Sequence, residues 1–185
     1  MSASVARRLL VATPTLIDPN FARSVVFVIE HNDEGAIGIV LNRPTDAALE
    51  DAVPEWAPFA APPAVAFVGG PVQQEEAVIG LAHARHLATP DGFVPLIGGM
   101  GTIDLGHAPY EVAEHVSSVR VFAGYSGWGP GQLDDELEQD GWYVVDAVVE
   151  DLVTGNPAGL WRAVLRRQGG DLAVAANYPE DLRSN

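Results

Sequence analysis

Apolar residues in this chain fall in short dense bursts separated by turn formers, the rhythm of a β-rich protein with a few helices between strands. Leu9–Ala12 reads as a short strand ended by Thr13-Pro14. Ser24–His31 and Ala36–Leu41 are β-branched runs separated by Asn32-Asp33-Glu34-Gly35, a glycine-ended connection that predicts a hairpin. Hairpins pair antiparallel, which argues against a purely parallel, doubly wound sheet. Ala64–Val68 and Ala77–Ala82 are further strands, joined through Gly69-Gly70-Pro71. Gly92–Ile97 is a strand weakened by Pro95, Val119–Phe122 alternates, and Tyr143–Val148 is the last strand.

The helical stretches are shorter. Ala47–Val53 and Glu111–Val116 each predict a short helix. A third follows Gly131, with Leu133 and Leu137 on one face, Pro130 in its first turn and Asp134-Asp135-Glu136 beside its positive end. Gly141 stands where a left-handed terminator belongs, which would fold Trp142 back on Leu137. Asn156-Pro157 starts a last helix over Ala158–Gln168, with Leu160, Trp161, Val164 and Leu165 on one side. Pro54–Pro63 holds four of the fourteen prolines and is expected to be a mobile or inserted loop, too short for an interdomain linker. One α+β domain over residues 1–185 follows.

Charge narrows the partners. The formal net charge is −15, and all ten basic residues are arginines spread from Arg7 to Arg183. Such a surface repels phosphate backbones and anionic lipid, so direct nucleic-acid binding is not expected. No apolar run approaches the roughly 20 residues of a membrane helix, and a soluble cytoplasmic protein is expected. With no cysteine, disulfides, thiolate metal sites and cysteine nucleophiles are excluded.

The stretch GYSGWGPGQLDDE, Gly124–Glu136, invites several chemical readings. Gly124-x-x-x-x-Gly129 matches the start of a phosphate-binding loop, but Pro130 stands where the lysine belongs and Gly131 where the hydroxyl belongs. Gly124-Tyr125-Ser126-Gly127-Trp128 nearly spells a nucleophile elbow, but the second glycine comes one residue early and all five histidines precede the serine. Gly99-x-Gly101 lacks the third glycine of a dinucleotide fingerprint, since Asp104 stands there. His83-x-x-His86 lies at a strand end, where that spacing points the rings to opposite faces. Gln132–Asp151 carries eight carboxylates and no arginine, the composition of a magnesium site or, more simply, of a solvated acidic face. The plain reading of the motif is tight backbone turning with Tyr125 and Trp128 filling a core; the sharper one is a pocket lined by Tyr125, Trp128 and Gln132.

Leu10-Val11-Ala12-Thr13-Pro14, Asp18-x-x-Phe21, Val25-Val26, Glu30-His31, Gly35-Ala36-x-Gly38, Asn42-Arg43-Pro44 and Gly69-Gly70-Pro71-Val72 follow one another along the chain. So does Gly124-Tyr125-x-Gly127-Trp128-Gly129-x-Gly131-Gln132-Leu133-x-x-Glu136, with Trp142 and Trp161 beyond it. In this order the motifs resemble the YqgE/AlgH family over about residues 9–168. The resemblance implies an α+β fold with two connected, mostly antiparallel sheets curled into a pseudo-barrel and flanked by helices. Members carry the label of transcriptional regulator without an established biochemical activity, and no helix-turn-helix or basic recognition surface supports it here. The chain departs from the pattern at Pro54–Pro63 and Gly98–Pro109.

The expectation is a non-catalytic regulatory or binding protein with no cofactor and no metal, taking a protein partner or a small ligand. Its candidate binding residues are Glu30, His31, Asn42, Arg43, Gly69, Gly70, Tyr125, Trp128, Gln132 and Glu136. The rival is a metal-dependent hydrolase or nuclease built on the carboxylates of Asp134, Asp135 and Glu136 plus a histidine.

Overall fold

Two sheets carry the chain, and each draws strands from both halves of the sequence. In the computed structural model, described over residues 3–85, 91–112 and 114–180, the first sheet contains β1 (Arg8–Ala12), β2 (Val25–Asn32), β3 (Gly35–Val40), β10 (Ser126–Trp128) and β11 (Trp142–Asp146). Their order is β10-β3-β2-β1-β11. The second sheet contains β4 (Pro44–Ala48), β5 (Val65–Val68), β6 (Val78–Ala84), β7 (Phe93–Ile97), β8 (Met100–Ile103) and β9 (Val116–Ala123), in the order β4-β5-β9-β6-β8-β7. All these neighbours pair antiparallel except β5 with β9. The helices are α1 (Leu49–Ala52), α2 (Pro109–Val112), α3 (Gln132–Glu138), α4 (Val149–Leu152), α5 (Leu160–Gln168) and α6 (Gly170–Ala175). The expected α+β class with two mostly antiparallel sheets is found; the two ladders stay separate, so the curled pair forms no closed barrel.

Continuous apolar runs, rather than alternating ones, follow from burial on both faces. In β1 and β2, Leu9, Val11, Val25 and Phe27 enter a core shared with Phe67, Leu81, Met100 and Phe122 of the second sheet. Their neighbours Leu10, Ala12, Val26 and Val28 point the other way, toward Leu133 of α3, Trp128 and Trp142. The far side of the second sheet is covered by Leu49 and Trp56. Helix α5 joins the shared core through Leu160, Trp161, Val164 and Leu165. The Trp161 indole N–H donates to the Ala12 carbonyl at 2.9 Å, so the ring's one polar group is satisfied inside the core.

The glycine motifs mark the place where the chain passes between sheets. Strand β9 belongs to the second sheet and β10 to the first, and only Gly124 and Tyr125 lie between them. Gly69 joins the two ladders directly. Its N–H donates to Ala123 of the second sheet, while its carbonyl accepts from Val40 N–H of the first and from the Ser126 hydroxyl. The crossing is so close that a Cβ on Gly69 would stand 2.4 Å from the Gly124 oxygen, and one on Gly70 would stand 2.2 Å from Tyr125 backbone atoms. Only glycine fits.

Several sequence expectations shift. The helix expected over Glu111–Val116 is one turn at Pro109–Val112, and Val116 already belongs to β9. Pro130 lies just ahead of α3, whose N-cap is Gly131. The left-handed terminator of α3 is Asp140 (φ 55°), with Gly141 N–H donating to Glu136 O and Asp140 N–H to Leu137 O. Aspartate tolerates that conformation, so the cap closes one residue early. The Pro54–Pro63 segment is packed rather than loose. Trp56 is buried and donates from its indole nitrogen to Leu105 O, and Arg120 donates to the carbonyls of Ala61, Pro62 and Thr154. Arg120 is 1% exposed and lies over the Phe67 ring, and burial pulls its pKa down to about 10.

Substituting Gly70 with alanine is expected to destabilise the protein by about 3 kcal/mol or more, because backbone atoms have nowhere to retreat. Gly131→Ala, also left-handed but with nothing within 4 Å of the added carbon, should cost only about 1 kcal/mol. Urea unfolding of the two variants measures the difference. Arg120→Ala should cost about 3 kcal/mol by the same method, since it strands buried carbonyls.

Candidate functional site

The sequence candidates gather at two ends of the β2–β3 ladder. At the hairpin end stand Glu30, His31, Trp128, Gln132 and Glu136. At the opposite end stand Asn42 and Arg43, against the start of β2. Gly69, Gly70 and Tyr125 belong to the crossing between sheets. Tyr125 is half-buried against the shared core, with its backbone paired to Val72. The ten residues therefore do not form one site.

Glu136 organises the hairpin end. Its Oε2 accepts from the indole nitrogens of both Trp128 and Trp142, at 2.9 and 3.0 Å. Its Oε1 accepts from the Gln132 side-chain amide at 3.2 Å, and Gln132 in turn accepts from Gly129 N–H. One carboxylate thereby holds two tryptophans at a 6.4 Å ring separation, edge to face, with Phe21 packed against both. Trp128 is 6% exposed. The spacing is local: Trp128 sits one short strand before α3, Glu136 is on that helix, and Trp142 follows it on β11.

His31 is fixed from both ring nitrogens. Its Nδ1 accepts from Val5 N–H at 3.1 Å, which puts the ring proton on Nε2, 3.6 Å from Asp134 Oδ1 of α3. Glu30 is exposed and accepts from the Asn32 amide. Beside it, Glu34, Gly35, Ala36, Ile37 and Trp128 border a shallow depression of about 220 Å³. Across the molecule, Asn42 imitates a strand, accepting from Val25 N–H and donating to Arg23 O. Arg43 donates to the Ala22 carbonyl, is half-buried, and has its pKa lowered by that burial. It borders a cleft of about 450 Å³ with Pro19, Asn20, Pro44 and Val68.

For metal chemistry the arrangement offers little. Among the described residues no group of three or more histidine, aspartate or glutamate side chains converges on one point. His83 Nδ1 lies 3.2 Å from the Ser117 hydroxyl, and His86 falls outside the described residues. Asp151 is nearly buried and takes Arg167 through both oxygens at 2.8 Å, which raises the arginine's pKa. Sequence reasoning missed Phe21, Arg7 and Arg120. Arg120 carried the clearer signal, a cation inside the apolar alternation of Val119–Phe122.

A family model described as AlgH-like matches residues 9–173. The chain belongs to the AlgH-like family. Relatives match it along most of their own length. A UPF0301 protein of Streptomyces coelicolor is 48% identical, over 99% of this chain and 96% of its own. A UPF0301 protein of Mycobacterium tuberculosis is 44% identical, over 97% and 90%. Among solved structures, the crystal structure of a Corynebacterium diphtheriae protein superposes with a TM-score of 0.88 at 31% identity, covering 96% of this chain and 94% of that one. The solution structure of the AlgH protein from Pseudomonas aeruginosa gives 0.67 at 27% identity, covering 98% and 100%.

Trp128→Ala is expected to cost about 3–5 kcal/mol in urea unfolding by hollowing the aromatic cluster. Glu136→Gln should cost about 1–3 kcal/mol, since two indole donors lose a charged acceptor. A fully stable Trp128→Ala protein would mean that the ring serves a surface instead.

Proposed function

We propose that this AlgH-like protein is non-catalytic and acts by holding a partner, protein or small molecule, in the cytoplasm, reaching gene expression only indirectly. One observation carries the reading. Three of the motif side chains with chemical potential are engaged in holding the fold: Glu136 by two indoles and Gln132, His31 by Val5 and Asp134, Asn42 by the β2 backbone. A general base or nucleophile needs a reacting atom within reach, and these groups face protein instead.

Direct DNA reading finds no support in the helices. The consecutive pair α5 and α6, joined at Gly169, has the outline of a helix-turn-helix. Yet α6 reads Gly-Asp-Leu-Ala-Val-Ala and carries no cation, whereas recognition helices bring donors and positive charge to a groove. On α5, Arg162 pairs with Glu180 and Arg167 with Asp151. The formal charge of −15 opposes a phosphate backbone at long range. No helix among the described residues is long and apolar enough to cross a membrane.

The thermal midpoint is expected to stay fixed when Mg²⁺, Mn²⁺, Zn²⁺ or EDTA is added, since a ligand that binds only the folded state must raise it. A rise with one metal, reversed by EDTA, would install the hydrolase reading on Asp134–Glu136. Mobility-shift gels should show no retained duplex at physiological salt.

A further inference from the structure

A second cleft, of about 370 Å³, opens where the end of β2 faces the β7–β8 edge of the other sheet. Ile29 lines it from the first sheet and Val94 and Leu96 from the second, with Glu30, His31, Asn32 and Thr102 at polar positions. Val94 is 57% exposed, an edge-strand valine left in water. Among the residues bordering this cleft is Arg7.

Arg7 stands apart from the other buried and half-buried arginines in what its guanidinium meets. Each of the other buried or half-buried arginines donates to a carbonyl or carboxylate; among the described residues the Arg7 guanidinium meets neither. Its Nη1 is shut away from solvent and has no hydrogen-bond partner, a state it shares with Arg23 Nη1 and Arg120 Nε. Its backbone is left-handed, at φ 66°, and is pinned there by a hydrogen bond from its N–H to Val28 O. Arg7 borders the cleft with N–H groups that no described protein acceptor takes, and an anion from outside can take them.

We infer that this inter-sheet cleft binds a small monocarboxylate with a short hydrocarbon body. The inference deepens the non-catalytic binding reading and rests on it. With Nη1 sealed from solvent, the guanidinium of Arg7 takes a carboxylate through its Nε–Nη2 edge. The Thr102 hydroxyl, which has no side-chain partner among the described residues, adds a donor. Ile29, Val94 and Leu96 enclose the alkyl portion, and the volume lies within the range of small-molecule sites. Glu30 at the same cleft repels a second negative charge, so the site selects singly charged acids over dicarboxylates.

The test is a titration of the full ¹⁵N-labelled chain with isovalerate, its uncharged isostere isovaleramide, and succinate, followed by amide shifts. Isovalerate should shift the amides of Arg7, Ile29–Asn32 and Val94–Thr102 saturably, with isovaleramide and succinate at least about tenfold weaker. Arg7→Gln should weaken isovalerate by about tenfold or more, while Arg166→Gln, which alters an exposed arginine elsewhere, should leave it unchanged. Equal shifts with the amide, saturation at other residues, or no saturable shift up to about 10 mM would each overturn the inference. The acid-against-amide comparison uses the unaltered protein and stands even if Arg7→Gln fails to fold. Such a failure leaves the non-catalytic reading in place, because that reading falls to a metal-dependent melt and not to this titration.

Discussion

The architecture depends on two stretches of backbone passing closer together than any side chain permits. Where β5 and β9 end, Gly69-Gly70 and Gly124-Tyr125 lie against each other, and Gly69 bonds to one sheet through its N–H and to the other through its carbonyl. Both sheets are locked at this point. The relative position of their inner faces, and so the packing of Phe27 and Leu9 against Phe67 and Phe122, is set by main-chain hydrogen bonds rather than by side-chain fit alone. The glycine-rich stretch that resembled a phosphate loop is therefore a junction.

The acidic residues after that junction take their role from the same geometry. Once the chain has crossed into the first sheet, Trp128 is buried on its outer face and α3 must cover it. A buried indole requires an acceptor for its N–H. Glu136 supplies one acceptor to two rings, and Asp134 on the same helix reaches His31, which itself secures Val5 near the N-terminus. Carboxylates that resemble metal ligands in composition thus knit α3 to β2, β10 and β11. Arg7 and Arg43 each border a cleft.

Much of the frame was legible from residue pattern. The β2–β3 hairpin, the α5 stripe and the Asn156 cap of the 3-10 turn Pro157–Gly159 that leads into α5, with Gly159 N–H on the Asn156 side chain, follow from β-branched runs and turn chemistry. Strands β4, β8 and β10 did not, because Pro-Thr-Asp-Ala-Ala, Met-Gly-Thr-Ile and Ser-Gly-Trp carry little strand propensity and are strands through their partners. At the candidate site, the core role of Trp128 was readable as one of two options. The carboxylate shared between Trp128 and Trp142 was not, since it depends on how β10, α3 and β11 converge. The isolation of Arg7 is invisible in sequence for the same reason: it is defined by the partners the fold fails to bring.

The position of β1 has a consequence for synthesis. This N-terminal strand lies between β2 and β11, with Arg8 opposite Asp146, 138 residues further along the chain. On a ribosome, one side of β1 can zip to β2 almost at once, while the other side stays bare until most of the polypeptide has emerged. The nascent protein carries an unsealed sheet margin until β11 has emerged, so its folding must wait for the docking of that late strand onto β1.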